Sequence, residues 1–245
     1  SGNLPIFPAS IVDAFQTKRI RKSEVLSKNF KEGSRLLTLF KNGHLKLTDI
    51  FDIKKLADFY VIMELSASPH GLRWHNRRFY YNPITQKLEH ILYDVVPYSD
   101  DNKRFVNIIE QKLTSGKKSR VYCFDNAILL DPDFKDAYLA ALIEKTQTSY
   151  LDSVFATFDE ELDRLNIIFD SEEFEHEFSR SLFYEHSNFL RNGISRLDSV
   201  WTDVLKTTKA IDKWILEPDY EKREDHFVAN HISLNTYLEK VDSSF

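Results

Sequence analysis

Only six glycines occur in 245 residues, Gly2, Gly33, Gly43, Gly71, Gly116 and Gly193, and no two are neighbours. Tight turns and strand corners draw on residues that accept positive φ, and glycine supplies most of them. Nineteen Phe and eleven Tyr accompany that scarcity. Together they point to packed helices with aromatic seams rather than to a β-sandwich. The same isolation of the glycines excludes a glycine-rich loop of the kind that cradles nucleotide phosphates.

Apolar periodicity agrees with a mainly α chain carrying a small β-hairpin. Ile11, Val12 and Phe15, then Val25 to Phe40, then Ile53 to Met63 recur at helical spacing. Ser23 and either Asp49 or Asp52 are candidate N-caps, and Gly43 stands where a left-handed C-cap belongs. A further helix is predicted from Ser99–Asp101, with Phe105, Ile108, Ile109 and Leu113 on one face and its end at Gly116. Arg120–Leu130 reads as a short strand and loop. Asp131-Pro132-Asp133 is a helix start with Pro in the first turn, and residues 133–214 are almost continuously helical. Breaks are expected near Thr146–Ser149 and Asp170–Ser171, with Gly193 a third candidate. Residues 217–245 form a tail without a clear period, and the whole reads as a single mostly helical domain.

The departure from this pattern is Leu65 to Asp94. His70, Arg73, Trp74, His75 and Asn76 crowd a polar loop, Arg78–Tyr81 and Leu88–Tyr93 are β-prone, and Asn82-Pro83-Ile84-Thr85 supplies turn chemistry between them. Asp94 closes the unit. Asn76 and Asp94 are the candidate ligands of a hard cation, because magnesium takes oxygen donors. His70 and His75 can exchange a proton with a hydroxyl near neutral pH. A zinc site that adds His90 or Asp94 is an alternative use of the same histidines. Arg78 is a permanently charged donor suited to phosphate, whereas Arg77 falls on the opposite strand face.

The run H-G-L-x-W-H-N-x-R-F-Y-Y-N-P-x-T-x-K-L-E-x-I-x-x-D, within Asp49–Asp94, resembles the central motif of CotH-type proteins, the spore-coat-protein-H kinase family, as found in envelope-associated bacterial members. The resemblance implies the C-terminal lobe region of an atypical protein-kinase-like fold, in a chain that is a fragment of a larger protein. It also implies ATP- and Mg2+-dependent phosphotransfer to hydroxyls of a surface or secreted protein, and an extracytoplasmic or envelope location. Asp94 and Asn76 would hold magnesium, His70 or His75 would orient or deprotonate the acceptor, and Arg78 would stabilise phosphate charge. Val95 stands where related sequences often carry Gly, and the loop offers histidines where others have an Asp base. With no nucleotide-covering lobe recognisable, this chain by itself is expected to be incomplete or inactive. The alternative is a catalytically silent envelope or interaction module on the same scaffold.

Bulk properties narrow the other classes. A net charge of −5 argues against a nucleic-acid-binding domain. The basic cluster Lys18, Arg19, Arg21 and Lys22 reads as a solvated helix end. One cysteine, Cys123, excludes an internal disulfide and a cysteine-based zinc site, and no apolar run is long enough to span a bilayer.

Overall fold

The structure, a computed structural model, describes residues 12–41, 44–73, 76–95, 105, 107–115, 124–171 and 180–215. Helix accounts for 74% of them, which makes the chain mainly α. In order, the elements are α1 (Thr17–Arg21), α2 (Glu24–Lys41), α3 (Leu47–Ile50), α4 (Ile53–Leu65), a 3-10 turn (His70–Leu72), β1 (Phe79–Asn82), β2 (Lys87–His90), α5 (Ile108–Ser115), α6 (Phe124–Leu129), α7 (Pro132–Lys145), α8 (Thr148–Ser171) and α9 (Arg180–Ile215). Contacts divide the chain into two units, Ser1–Leu205 and Lys206–Phe245. The architecture below is that of the first.

Helix starts follow from local polar chemistry. Ser23 Oγ accepts from Leu26 N at 3.3 Å, Asp52 Oδ1 from Lys55 N at 3.2 Å, and Asp131 Oδ1 from Phe134 N at 3.0 Å. Each satisfies one of the orphan N–H groups of a first turn, worth about 1 kcal/mol. Pro132 occupies the first turn of α7, where its missing N–H costs nothing. The α7–α8 break falls at Thr146–Gln147, inside the expected interval, whereas α9 runs through Gly193 without interruption.

The core is organised around α4. Its Leu56, Ala57, Tyr60, Val61 and Met63 are buried and pack most extensively against α7, whose Phe134, Tyr138 and Leu142 have no exposed surface. From α9, Leu190, Leu197 and Trp201 close the same core, and the Trp201 indole donates to Leu129 O at 2.6 Å. Removing each such side chain from water is worth about 1.5–3 kcal/mol, so α4 is the least displaceable element. The chain leaves it directly into the polar loop.

β1 and β2 pair antiparallel in the register Phe79↔His90 to Asn82↔Lys87. Asn82 Oδ1 accepts from Ile84 N at 3.0 Å and Thr85 N at 3.4 Å, and Gln86, at φ 56, turns the chain back. The inner face of the hairpin carries Phe79 and His90 into an aromatic cluster with Phe51, Phe59 and Phe124. Across it runs α2, where a β-carbon on Gly33 would stand 3.1 Å from Tyr81 Cβ. That close approach is why this helix tolerates a glycine in its interior.

Four stretches differ from expectation. Val12 and Phe15, read as one helical stripe with Ile11, precede the first helix, which starts at Thr17; Phe15 is exposed and gives such a stripe no core to pack on, and Ile11 lies outside the described residues. The start predicted at Ser99–Asp101 lies outside the described residues, and the helix that carries Ile108, Ile109 and Leu113 is Ile108–Ser115, capped by Asn107 Oδ1 accepting from Glu110 N at 2.7 Å. Phe105 lies ahead of it and stacks on His186 at 5.4 Å, so it does not share a helical face with Ile108 and Leu113. Phe124–Leu129, read as part of a strand and loop, is helical. β2 stops at His90, and Ile91–Tyr93 is irregular. The Gly43 cap, the Gly116 stop, Cys123 and residues 217–245 lie outside the described residues.

Candidate functional site

The loop after α4 and the segment after β2 converge on one polar cluster. Asn76 Nδ2 donates to Asp94 Oδ2 at 2.6 Å and to the His70 carbonyl at 3.0 Å, and His70 Nδ1 lies 2.6 Å from the same Asp94 oxygen. A carbonyl and a carboxylate only accept, so the Asn76 end between them is the NH2 and its Oδ1 points away. By the same reasoning Nδ1 of His70 carries the proton donated to Asp94. The 3.2 Å separation of Asn76 Nδ2 from His70 Nδ1 is then crowding around a shared acceptor rather than a third hydrogen bond.

The backbone accommodates this convergence at two positions. Asp94 adopts φ 55, the left-handed region, which turns its carboxylate back toward the loop. Asp is one of the few side chains that tolerates that region. Gly71 sits in the 3-10 turn where an added β-carbon would stand 2.9 Å from Met63 Sδ and 3.1 Å from Tyr93 O. Only a glycine lets the turn press against the backbone that carries Asp94. Asn76 is 7% exposed, while the His70 and Asp94 side chains are 41% and 30% exposed. The donor is therefore set in the wall, and the acid and imidazole face solvent.

Beneath the loop lies a second, buried constellation. Arg77 donates to the Leu72 carbonyl at 2.9 Å and to Tyr60 Oη at 3.0 Å, and pairs with Asp125 of α6. Tyr60 Oη donates to Asp125 Oδ1 at 2.7 Å, and Lys112 Nζ of α5 meets Oδ2 at 2.7 Å. Burial raises the Asp125 carboxyl, but the Arg77 and Lys112 charges outweigh it and hold the group down at about 2. Arg77 thus ties the 3-10 turn to α4, α5 and α6. It is a positioning residue for the cluster above it.

Of the site residues proposed from sequence, His70, Asn76 and Asp94 are brought together. Arg78 stacks over the Tyr93 ring at 4.5 Å and donates to the Arg77 carbonyl at 3.0 Å, one residue from Asp94 along the chain. His75 and Trp74 lie outside the described residues. His90 does not join the loop histidines. Its ring stacks on Phe59 at 4.2 Å with both nitrogens shielded, and burial together with the Arg77 charge holds its pKa well below the usual imidazole range. The zinc alternative that used it has no ligand there.

Sequence reasoning passed over Glu64. It is fully buried, accepts from Ile108 N and from Ile109 N (3.2 Å) at the start of α5, and receives the Tyr138 hydroxyl at 3.4 Å. Burial raises its carboxyl to about 8 against the pull of those donors. The signal was present, since Glu64 continues the buried Ala57–Tyr60 stripe of α4 at helical spacing.

Among the described residues no group of three or more His, Cys, Asp or Glu could hold a metal, and no helix is long and apolar enough to cross a membrane. Magnesium needs less than such a group from a protein, because it keeps several waters and takes substrate phosphates through one or two carboxylates. Asp94 and Asn76, whose Oδ1 atoms accept no hydrogen bond from a described residue, fit that modest requirement. Compared with family models, curated proteins and solved structures, the chain matches none.

Proposed function

We propose that the His70–Asn76–Asp94 cluster serves metal-dependent phosphotransfer to a hydroxyl, the activity implied by the likeness of residues 70–94 to the CotH-type kinases. The observation that carries the reading is the meeting of His70, Asn76 and Asp94 on one carboxylate oxygen, at a half-exposed mouth built by a loop and a hairpin. In this reading Asp94 Oδ2 fixes the His70 tautomer, which directs Nε2 to take the acceptor hydroxyl's proton. Asp94 Oδ1 and Asn76 Oδ1 would hold magnesium, which supplies neutralisation of phosphate charge. Arg78, stacked on the Tyr93 ring, would supply the fixed positive charge for phosphate.

The two hydrogen bonds on Asp94 Oδ2 also favour a second reading, in which the carboxylate staples the loop to the hairpin within a silent interaction module. Transfer of label from γ-labelled ATP to a hydroxyl-rich protein acceptor, with Mg2+, separates the two. Phosphotransfer predicts incorporation that falls at least tenfold in both Asp94→Asn and His70→Gln while the fold persists. Labelling unchanged by both substitutions would refute it, and absence of labelling at all would favour the staple.

A further inference from the structure

The chain carries a net charge of −5, yet residues 17–35 run the other way. They hold Lys18, Arg19, Arg21, Lys22, Lys28, Lys31 and Arg35 against Glu24 and Glu32, seven cations and two carboxylates for a local charge of +5. In sequence the first four read as a solvated helix end. In the fold they are one part of a larger surface. Lys28, Lys31 and Arg35 recur three and four residues apart on one stripe of α2. With Arg21 and Lys22 they wall an open groove of about 780 Å3, and Lys18, Arg19, Lys22 and Leu26 line an adjoining one. All seven cations are exposed, and among the described residues only Arg35 is in an ion pair, with Glu32 at 2.6 Å.

Two apolar side chains share this part of the chain. Phe15, two residues before α1, is 77% exposed, and Val25, in the first turn of α2, is 69% exposed. Isolated exposed apolar residues need no explanation, but these bracket the densest run of cations. We infer that α1 and the first half of α2 form a docking surface for an anionic lipid bilayer. The cations meet headgroup charge, and Phe15 and Val25 enter the boundary between headgroups and acyl chains. A nucleic acid would use the same cations and could stack on Phe15, but an aliphatic Val25 gains nothing against phosphates. The reading is independent of the His70–Asp94 cluster, which no residue of either groove contributes to.

Vesicle co-sedimentation tests it. With vesicles of phosphatidylcholine containing about one-third phosphatidylserine, the chain pellets at low salt and progressively less as salt screens the surface; with pure phosphatidylcholine it stays in the supernatant. A juxtamembrane cation raises partitioning about fivefold. The fourfold charge reversal Lys18→Glu, Arg19→Glu, Arg21→Glu, Lys22→Glu therefore lowers it by more than about a hundredfold. Lys28→Glu with Lys31→Glu, at exposed positions of a long helix, lowers it at least tenfold and serves if the fourfold variant does not fold. Phe15→Ser with Val25→Ser weakens binding most at high salt, where the apolar contribution is what remains. Equal pelleting with neutral vesicles, indifference to both charge reversals, or tighter binding to a duplex or single-stranded oligonucleotide than to the anionic vesicles would overturn the inference.

Discussion

Glu64→Gln should reverse its effect on stability between acid and mildly alkaline pH. The folded carboxyl titrates at about 8 against 4.5 for an ordinary glutamate, so the native state favours the protonated acid. A group raised in the folded state contributes its full stability below the unfolded value and loses it as pH rises toward the folded one. For wild type this means a loss of about 1.4 kcal/mol per pH unit above pH 4.5, reaching about 4 kcal/mol at pH 8. Glutamine has no proton to lose and escapes that decline. At pH 4 the variant should instead be about 1 kcal/mol less stable, because one carboxyl oxygen accepting from the α5 N-terminus becomes an amide NH2. Urea unfolding of both proteins from pH 4 to 8 should therefore give curves that cross near pH 5. A variant less stable by the same amount at every pH would refute the reasoning. It would show that the Ile108 and Ile109 N–H groups hold Glu64 as a carboxylate.

Asp125→Asn should cost about 3–5 kcal/mol, because it leaves the buried Arg77 guanidinium without its counter-charge; calorimetry should show a melting point roughly 6–20 °C lower. Gly71→Ala should cost about 1–3 kcal/mol by forcing the 3-10 turn off the Tyr93 carbonyl. It should also shift the His70 imidazole resonances, while a far-ultraviolet spectrum like that of wild type would place the damage in the loop. His90→Phe should flatten the acid limb of the stability profile. His90, held well below its ordinary value by burial, contributes stability that is whole above pH 6.5 and falls away below it. Because Glu64 slopes the other way, urea unfolding should give a stability at pH 5 relative to pH 8 that is higher in the variant than in wild type.

How far the sequence carried depended on whether a residue announced its role locally. Ser23, Asp52 and Asp131 are short polar acceptors ahead of apolar periodicity, and each caps the helix that follows. Asn82-Pro83 closes the hairpin through an Asn side chain accepting from the next two available N–H groups, again a local event. The convergence of Asn76 with Asp94 spans the hairpin and was legible only because the strand pairing dictates it. Phe124–Leu129 is helical against expectation because six mixed residues are too few to show a period, and Arg77, the partner of its Asp125, stands 48 positions earlier. The burial of Glu64 is legible from its place on the α4 stripe, but its partners are not. Its donors, Ile108 N and Ile109 N, are backbone groups, which no side-chain pattern reveals.

Mn2+, a paramagnetic stand-in for Mg2+, tests the central claim most directly when titrated into the chain with ADP and followed by electron paramagnetic resonance. Asn at position 94 accepts the left-handed backbone as Asp does, so Asp94→Asn removes the charge and little else. The account predicts that wild type depletes the free-Mn2+ signal, that Asp94→Asn weakens this at least tenfold, and that the two proteins melt within a few degrees of each other. Equal Mn2+ binding by both, or none by wild type, would contradict a metal site at Asp94 and leave that carboxylate as the staple between loop and hairpin.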